Sequence, residues 1–341
     1  MTDLLFLPIS GPRGASSRYR VFQFLSRVEE AGFDHILHAP PERIESGWQR
    51  MLAAHVERRQ IVHLTRKCRA LFIQKRLFPA SLIDTLANTH PFLFDFDDAI
   101  FTSPTGGRSA WSRRRVESRL RHTLQNARIV VAGNAFLADY ARQYAHHVVT
   151  LPTVLDHRLY PAKKHASSSE VVIGWIGHSV NHPYLHDLAN ALREVARHMT
   201  MRLLVVSDCD IEIPGIRIEN RRWSAETEVA DLLAMDIGIM PLPDDVWSRG
   251  KCGFKAIQYM ATGIPVVCSD VGANPDIVRH GIDGYCVRSP RDWSEALVAL
   301  CDDVEQRQRL GAAGRQRVAD AFSLESATPA FLQIMEALCG R

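Results

Sequence analysis

No run of about 18 consecutive apolar residues occurs in this 341-residue sequence, so no transmembrane helix is expected. Its seven cysteines (68, 209, 252, 268, 286, 301 and 339) are odd in number, scattered, and never spaced as CxxC. A disulfide framework is therefore not expected, and buried thiols in a reducing compartment fit better. No GxGxxG follows any strand-like run, which sets aside a hydride-transferring dehydrogenase. HExxH is missing too. His178, His182 and His186 recur every four residues, but Pro183 falls inside the run, so they are not expected to form a metal site. The opening residues hold one short apolar run, 4–9, with acidic Asp3 ahead of it. A secretory signal needs a basic start and a longer apolar core, so a cytoplasmic location is expected.

What is present reads as two α/β domains. Apolar residues make up 46% and charged residues 23%, ordinary for a globular chain long enough for two cores. Strand-like runs fall at 3–9, 34–37, 60–64, 92–94, 129–132 and 147–150, with helical segments at 19–31, 47–57, 80–87 and 135–144. Residues 151–169, with Pro152, Pro161, Lys163, Lys164 and three serines, read as an exposed linker. After it the alternation restarts at 171–177 and continues at 202–207, 216–219, 237–240, 265–269 and 285–287. The expectation is two doubly wound parallel sheets facing each other across a cleft, with ligands at the carboxyl ends of the strands. Expected bounds are 1–152 for the first domain, 170–325 for the second, and a last helix over 326–341 packing back toward the first.

Net charge is +3, unevenly spread: residues 1–160 carry 22 Lys and Arg against 14 Asp and Glu, leaving 19 against 24 for the rest. A basic first half suggests an anionic partner. Basic clusters lie at Arg66, Lys67 and Arg69, at Lys75 and Arg76, and from Arg108 to Arg121. The last interleaves Trp111, Leu120 and Leu124, as a segment lying on an anionic membrane would. A merely solvated face is the alternative. Nucleic acid is not expected, because no known module is visible and the other half is acidic.

The most informative stretch runs from Met240 to Asn274. A strand ends at Pro241, and a polar loop with Arg249 and Lys251 leads through Gly253 into a helix over 254–261, beginning at Phe254. Gly263, Ile264 and Pro265 stop that helix before a buried strand. A glycine at a helix start and the helix dipole both favour an anion. Lys251 and Lys255 sit four apart and, if both are helical, face the same way. Gln258 adds a polar amide, and a nucleotide diphosphate with its ribose suits the set. A solvated, lysine-bearing helix entry is the plainer alternative.

This segment resembles the donor signature of retaining glycosyltransferases of the GT-B fold, family 4 in the usual sequence classification. There an acid, seven spacers and a glutamate lead into Ala-Met-Ala-x-Gly-x-Pro-Val-Val, and Tyr259-Met260-Ala261-Thr262-Gly263-Ile264-Pro265-Val266-Val267 reproduces the second part. The most similar branch has lysines in place of the first acid, as with Lys251 and Lys255. Two positions depart: Gln258 stands for the ribose-binding glutamate, and Gly250 lies in the register of the first acid. Ile173 to Gly177, Tyr184-Leu185, Asp236 to Pro243, Phe94 to Ala99 and Gly133-Asn134 extend the likeness over the chain.

The resemblance implies transfer of a sugar from a UDP- or GDP-sugar, with no cofactor and no metal, to a glycan or lipid-linked acceptor, in cell-surface glycan or lipopolysaccharide synthesis. It places Lys251, Lys255, Arg249 and the amides near Gly253 on the diphosphate, Gln258 on the ribose, and Trp223 near the base. His178, with Ser179 beside it, falls where relatives carry a phosphate-contacting arginine. After the first strand, Gly11 to Gly14 and the arginines Arg18 and Arg20 could close over the phosphates. Asp95, Asp97 and Asp98 follow an apolar run, and Asp97 or Asp98 can orient or deprotonate an acceptor hydroxyl; helix capping is the plainer role. A nucleotide-sugar epimerase and a catalytically silent binding subunit stay open.

Overall fold

The structure is a computed structural model that describes residues 2–40, 47–102 and 109–341. Arg108 lies outside them. The chain divides into two compact units: residues 1–154, 250–252 and 327–341, and residues 155–249 and 253–326.

In the first unit the elements are β1 (Thr2–Leu7), α1 (Ala15–Arg20), α2 (Leu25–Glu30), β2 (His35–Leu37) and α3 (Gly47–Thr65). Then come β3 (Cys68–Gln74), α4 (Ala80–Ala87), β4 (Phe92–Phe96), α5 (Ala110–Asn126), β5 (Ile129–Ala132), α6 (Ala135–Arg142) and β6 (Val148–Thr150). All six strands are parallel, in the order β2-β1-β3-β4-β5-β6. Leu4 to Leu7 form an unbroken buried run, as a strand covered on both faces requires.

Two expectations fail here. Residues 60–64 are not a strand but the end of α3. Ile61 and Thr65, four apart, are buried while His63 is exposed, which is helical spacing. The strand is Cys68–Gln74, central between β1 and β4. Arginine at 66 and 69 and lysine at 67 masked its apolar run.

The second unit holds β7 (Val171–Ile176), α7 (His182–Asp187), α8 (Ala189–His198), β8 (Met201–Ser207), β9 (Ile218–Arg222) and α9 (Glu228–Leu233). It continues with β10 (Ile237–Met240), α10 (Val246–Arg249), α11 (Phe254–Ala261), β11 (Val266–Ser269), α12 (Asn274–Ile277) and β12 (Gly284–Val287). Last are α13 (Pro290–Asp302), α14 (Val304–Ala321) and α15 (Leu324–Cys339), whose residues from Ala327 onward belong to the first unit. The six strands are again parallel, in the order β12-β11-β10-β7-β8-β9. Helices α8 and α13 pack together, as do α11 and α14.

The segment 151–169 is not wholly exposed: Leu151, Val154, Leu155 and Tyr160 are buried, and Leu155 pairs with Ser323. Its Pro, Lys and Ser content hides four apolar anchors that follow no period.

Each strand order reverses once, between β1 and β3 and between β10 and β7. In open parallel sheets the crevice for ligands lies outside the carboxyl ends at such a reversal.

Candidate functional site

At the reversal of the second sheet, α11 starts at the carboxyl edge. Gly253 is its N-cap, with φ of 64°, and no side chain caps the helix. Lys255, in the first turn, reaches over β7: its Cε lies 2.6 Å from where a Cβ on Gly177 would stand, and its Nζ is 5.4 Å from the Trp175 ring. One turn on, Gln258 is only 4% exposed, and its Nε2 has no hydrogen-bond partner among the described residues. Leaving a buried amide donor unmade costs about 1–3 kcal/mol, so such groups usually await a ligand or water. Asn274 adds a second such group. It is 1% exposed, its Nδ2 donates to Ser269 O (2.9 Å), and its Oδ1 lacks a partner among the described residues. That oxygen sits 3.3 Å from where a Cβ on Gly253 would stand. Sequence reasoning missed Asn274; its signal was a polar residue just after a strand end.

Tyr259 holds α11 on the sheet. Its hydroxyl accepts from Ile176 N (3.1 Å) and donates to Ile239 O (3.3 Å), joining β7 and β10 across the reversal.

At the end of β7, His178 Nδ1 accepts from Val180 N (3.3 Å) and His178 Nε2 stands 3.3 Å from Asp208 Oδ2. Ser179 donates to Asp208 through both N (2.7 Å) and Oγ (2.9 Å). Those hydrogen bonds, the backbone one foremost, hold the Asp208 carboxyl down to about 2. Trp223 follows the edge strand β9, and its Nε1 donates to Glu228 Oε2 (2.9 Å). Arg249, at the end of α10, pairs with Asp244 at 2.6 Å.

At the reversal of the first sheet a different cluster forms. Arg20 is 3% exposed and bonded to Asp95 and to Leu151 O (2.7 Å). Burial works against its charge, but Asp95 outweighs that and raises the guanidinium further. It is therefore not available to a phosphate, contrary to the expectation from the sequence.

Lys75, expected only as part of a basic cluster because β3 was not foreseen, is the one non-glycine with positive φ (60°) among the described residues. Its Nζ lies 3.0 Å from Asp97 Oδ1 and bonds Asp98. Asp97 also accepts from Ser16 Oγ (2.8 Å). Burial pushes the Asp97 carboxyl up, yet Lys75, Arg20 and Ser16 together hold it below the usual range. Asp98 is the more open of the pair, its side chain 31% exposed against 11%. Gln74 Oε1 accepts from Ile9 N (3.0 Å) and Ser17 Oγ (2.9 Å), tying the loop after β1 to β3. Gly14 closes a turn through its N to Gly11 O (3.0 Å), and Arg18 stacks on Tyr19 at 4.4 Å.

Residues 250–252 group with this unit. Asn134 Nδ2 donates to Lys251 O (3.0 Å), and Cys252 Sγ to Asp97 O (3.1 Å). A Cβ on Gly250 would stand 2.4 Å from Ala99 Cβ and 2.7 Å from Ala99 N, so no acid fits in that register. Lys251 lies before α11, not on it, and does not share a helix face with Lys255. The left-handed Gly253 between them breaks the helical spacing. Lys75 and Arg76 are not a surface patch either: Arg76 is 7% exposed and bonds Glu57 at 2.5 Å.

Residues 170–303 match the family described as Glycosyl transferases group 1. Among curated proteins, N-acetyl-alpha-D-glucosaminyl L-malate synthase of Bacillus anthracis is 25% identical over 169 residues, 47% of this chain and 43% of that protein. MMP alpha-(1->4)-mannosyltransferase of Mycolicibacterium hassiacum is 36% identical over 123 residues, 34% of this chain and 28% of that one. The matched stretch thus spans less than half the length of either relative. Among solved structures, sucrose-phosphate synthase of Thermosynechococcus elongatus superposes with a TM-score of 0.75 at 15% identity, covering 100% of both chains. Anabaena HepE in complex with UDP and glucose gives 0.69 at 13%, covering 99% of this chain and 100% of that one. At such identities the likeness is one of fold, and the fold is GT-B.

Proposed function

From the match of residues 170–303 to the group 1 glycosyl transferases, we propose that the protein moves a sugar from a nucleotide diphosphate sugar to a hydroxyl acceptor. The observation that carries this reading is the Lys255 side chain over Gly177 at the sheet reversal, one turn from the buried amide of Gln258, whose Nε2 has no partner among the described residues.

In this reading the uncapped start of α11 and Lys255 bind the diphosphate, Gln258 Nε2 donates to a ribose oxygen, and Asn274 Oδ1 accepts from a donor hydroxyl. His178, Ser179 and Arg249 flank the phosphates, with Phe254 beside them and Trp223 toward the base. As the bond to the sugar breaks, negative charge grows on the departing diphosphate, and fixed cations and amides stabilise it without a metal. Within the first unit, Asp97 and Asp98 serve the acceptor hydroxyl. Asp98, more open and less constrained, is the better placed to take its proton, while Asp97 orients. Gly14, Arg18 and Lys251 supply further amide and cationic contacts for anionic parts of the substrates.

That HepE was solved with UDP and glucose supports a uridine donor, with GDP as the other choice. The family resemblance supports retention of configuration. We assign the acceptor to a cell-surface glycan or lipid-linked saccharide, met at the cytoplasmic face of an anionic membrane by the basic first unit. Among the described residues no helix is long and apolar enough to cross a membrane.

The test is a thermal-shift panel of UDP-, GDP-, ADP- and CMP-sugars and free nucleotides, run on the wild type and Lys255→Ala. Ligand in hundredfold excess over its Kd stabilises by about 2.7 kcal/mol. A shift with one nucleotide family, weakened at least tenfold in apparent affinity by Lys255→Ala, is expected. In turnover assays the same variant should raise donor KM and lower kcat together, because its charge matters more in the transition state. No shift with any nucleotide would favour the silent binding subunit.

A further inference from the structure

The membrane reading above leaves open which surface meets the lipid, and of the basic clusters in the sequence Lys75 and Arg76 drop out, since both are held in ion pairs. Exposed apolar residues beside the other clusters mark the surface. On α3, Trp48, Leu52 and Val56 are 68%, 56% and 46% exposed. Spaced by four, they form one stripe, on the side of the helix away from buried Ile61 and Thr65. On α5, Trp111 is 71% exposed, Arg115 lies over its ring at 5.4 Å, and the stripe faces away from buried Leu120 and Leu124. Each tryptophan is the second residue of its helix.

Topology brings the two together. Right-handed crossovers place α3, α4 and α5 on one face of the first sheet, and α4 packs against both neighbours. These helices run antiparallel to the strands, so their first turns emerge at the carboxyl edge, where Asp97 and Asp98 lie. Two helix spacings set the tryptophans roughly 20 Å apart.

The charge around them is one-sided. Residues 47–69 hold six Arg or Lys and one acid, Glu57, which Arg76 already neutralises. Residues 109–128 hold six and one acid, Glu117. Arg114, Arg115 and Arg121 are exposed.

We propose that the N-terminal turns of α3 and α5 form a tryptophan–arginine surface that rests on an anionic lipid bilayer, presenting the carboxyl edge of the first sheet to a lipid-linked acceptor. Tryptophan belongs at the headgroup level, where its ring is half in hydrocarbon and its N–H stays wet. Leu52 and Val56 enter the acyl boundary, a use that a nucleic-acid groove has no place for, and the arginines meet the headgroup phosphates. The inference rests on the membrane reading but not on the donor reading, because lipid binding needs no nucleotide.

Sedimentation of the full chain with phosphatidylcholine vesicles, with and without about a third phosphatidylglycerol, tests it. Binding at least tenfold tighter to the anionic vesicles is expected, weakening with salt. The double variant Trp48→Ser/Trp111→Ser should lose tenfold or more of that affinity with Tm unchanged, since both rings are solvent-exposed. Arg114→Gln and Arg115→Gln should each cost up to about fivefold. Undiminished binding by the tryptophan variant would overturn this surface while leaving the membrane reading intact. Failure of the wild type to bind either vesicle would overturn both. Loss of single-stranded DNA binding in the tryptophan variant, with vesicle binding unchanged, would assign the face to nucleic acid instead.

Discussion

Gly253 meets two demands at one position: a left-handed backbone at φ of 64° and a close neighbour in Ile277, whose Cδ1 would lie 2.1 Å from an added Cβ. Only the first is costly, because the end of an isoleucine side chain can rotate away. Gly253→Ala should therefore destabilise by about 1–2 kcal/mol, the left-handed penalty for an L-residue, read as a lowered urea midpoint. An unchanged midpoint would contradict that backbone assignment. His165 makes a pH prediction. Its Nε2 is 2.9 Å from Gly263 O while Nδ1 is buried without a partner among the described residues, so the neutral ring suits the fold. Burial, then the Lys163 and Arg307 charges, hold the imidazole below its ordinary value against that hydrogen bond. The unfolded chain thus binds more protons over the interval between the two values. Stability is complete above about pH 6.5 and declines as pH falls below it. His165→Gln, which can still donate to Gly263, should flatten that acid slope; an equal slope in the variant would move its origin to another group.

Among the elements, α15 shows a helix whose role lies in what it covers. Phe331 is 2% exposed and stacks on Phe24 at 4.1 Å, with Phe72 at 5.8 Å. Phe331→Ala should cost about 3–5 kcal/mol, as large-to-small changes at buried aromatics do, and urea unfolding measures it. A loss under 1 kcal/mol would mean the helix is dispensable to the first unit's core. Helix α11 was legible from sequence to the residue, because Gly253 and Gly263-Ile264-Pro265 punctuate both ends. Strand β3 was not, because Arg66 and Lys67 before it and Arg69 within it broke the apolar run, and α3's last turn, with three apolar residues in five, imitated a strand.

Over the whole molecule, two parallel sheets each reverse strand order once, and each reversal places a lysine at its edge. Lys75 is bound by Asp97 and Asp98, whereas Lys255 stands over the Trp175 ring beside an uncapped helix start. A bound nucleotide should accordingly slow amide exchange in α11 and at the ends of β7 and β10, leaving the strands of the first sheet at their unliganded rates. Protection confined to the first unit would overturn the assignment of the donor to the second.

Local rules acting over a few residues were enough to determine the alternation of buried strands and helices, the restart of the pattern near residue 171, and the glycine-led entry to α11. They could not determine which charges are available. Arg20 meets Asp95 across 75 residues of sequence, and Lys75 meets Asp98 across 23. The vacancy at Gly250 likewise depends on Ala99, far away in the chain. A charge count treats every arginine alike, but the free energy of a charge depends on whether folding has already given it a partner, and only the tertiary structure brings those partners together.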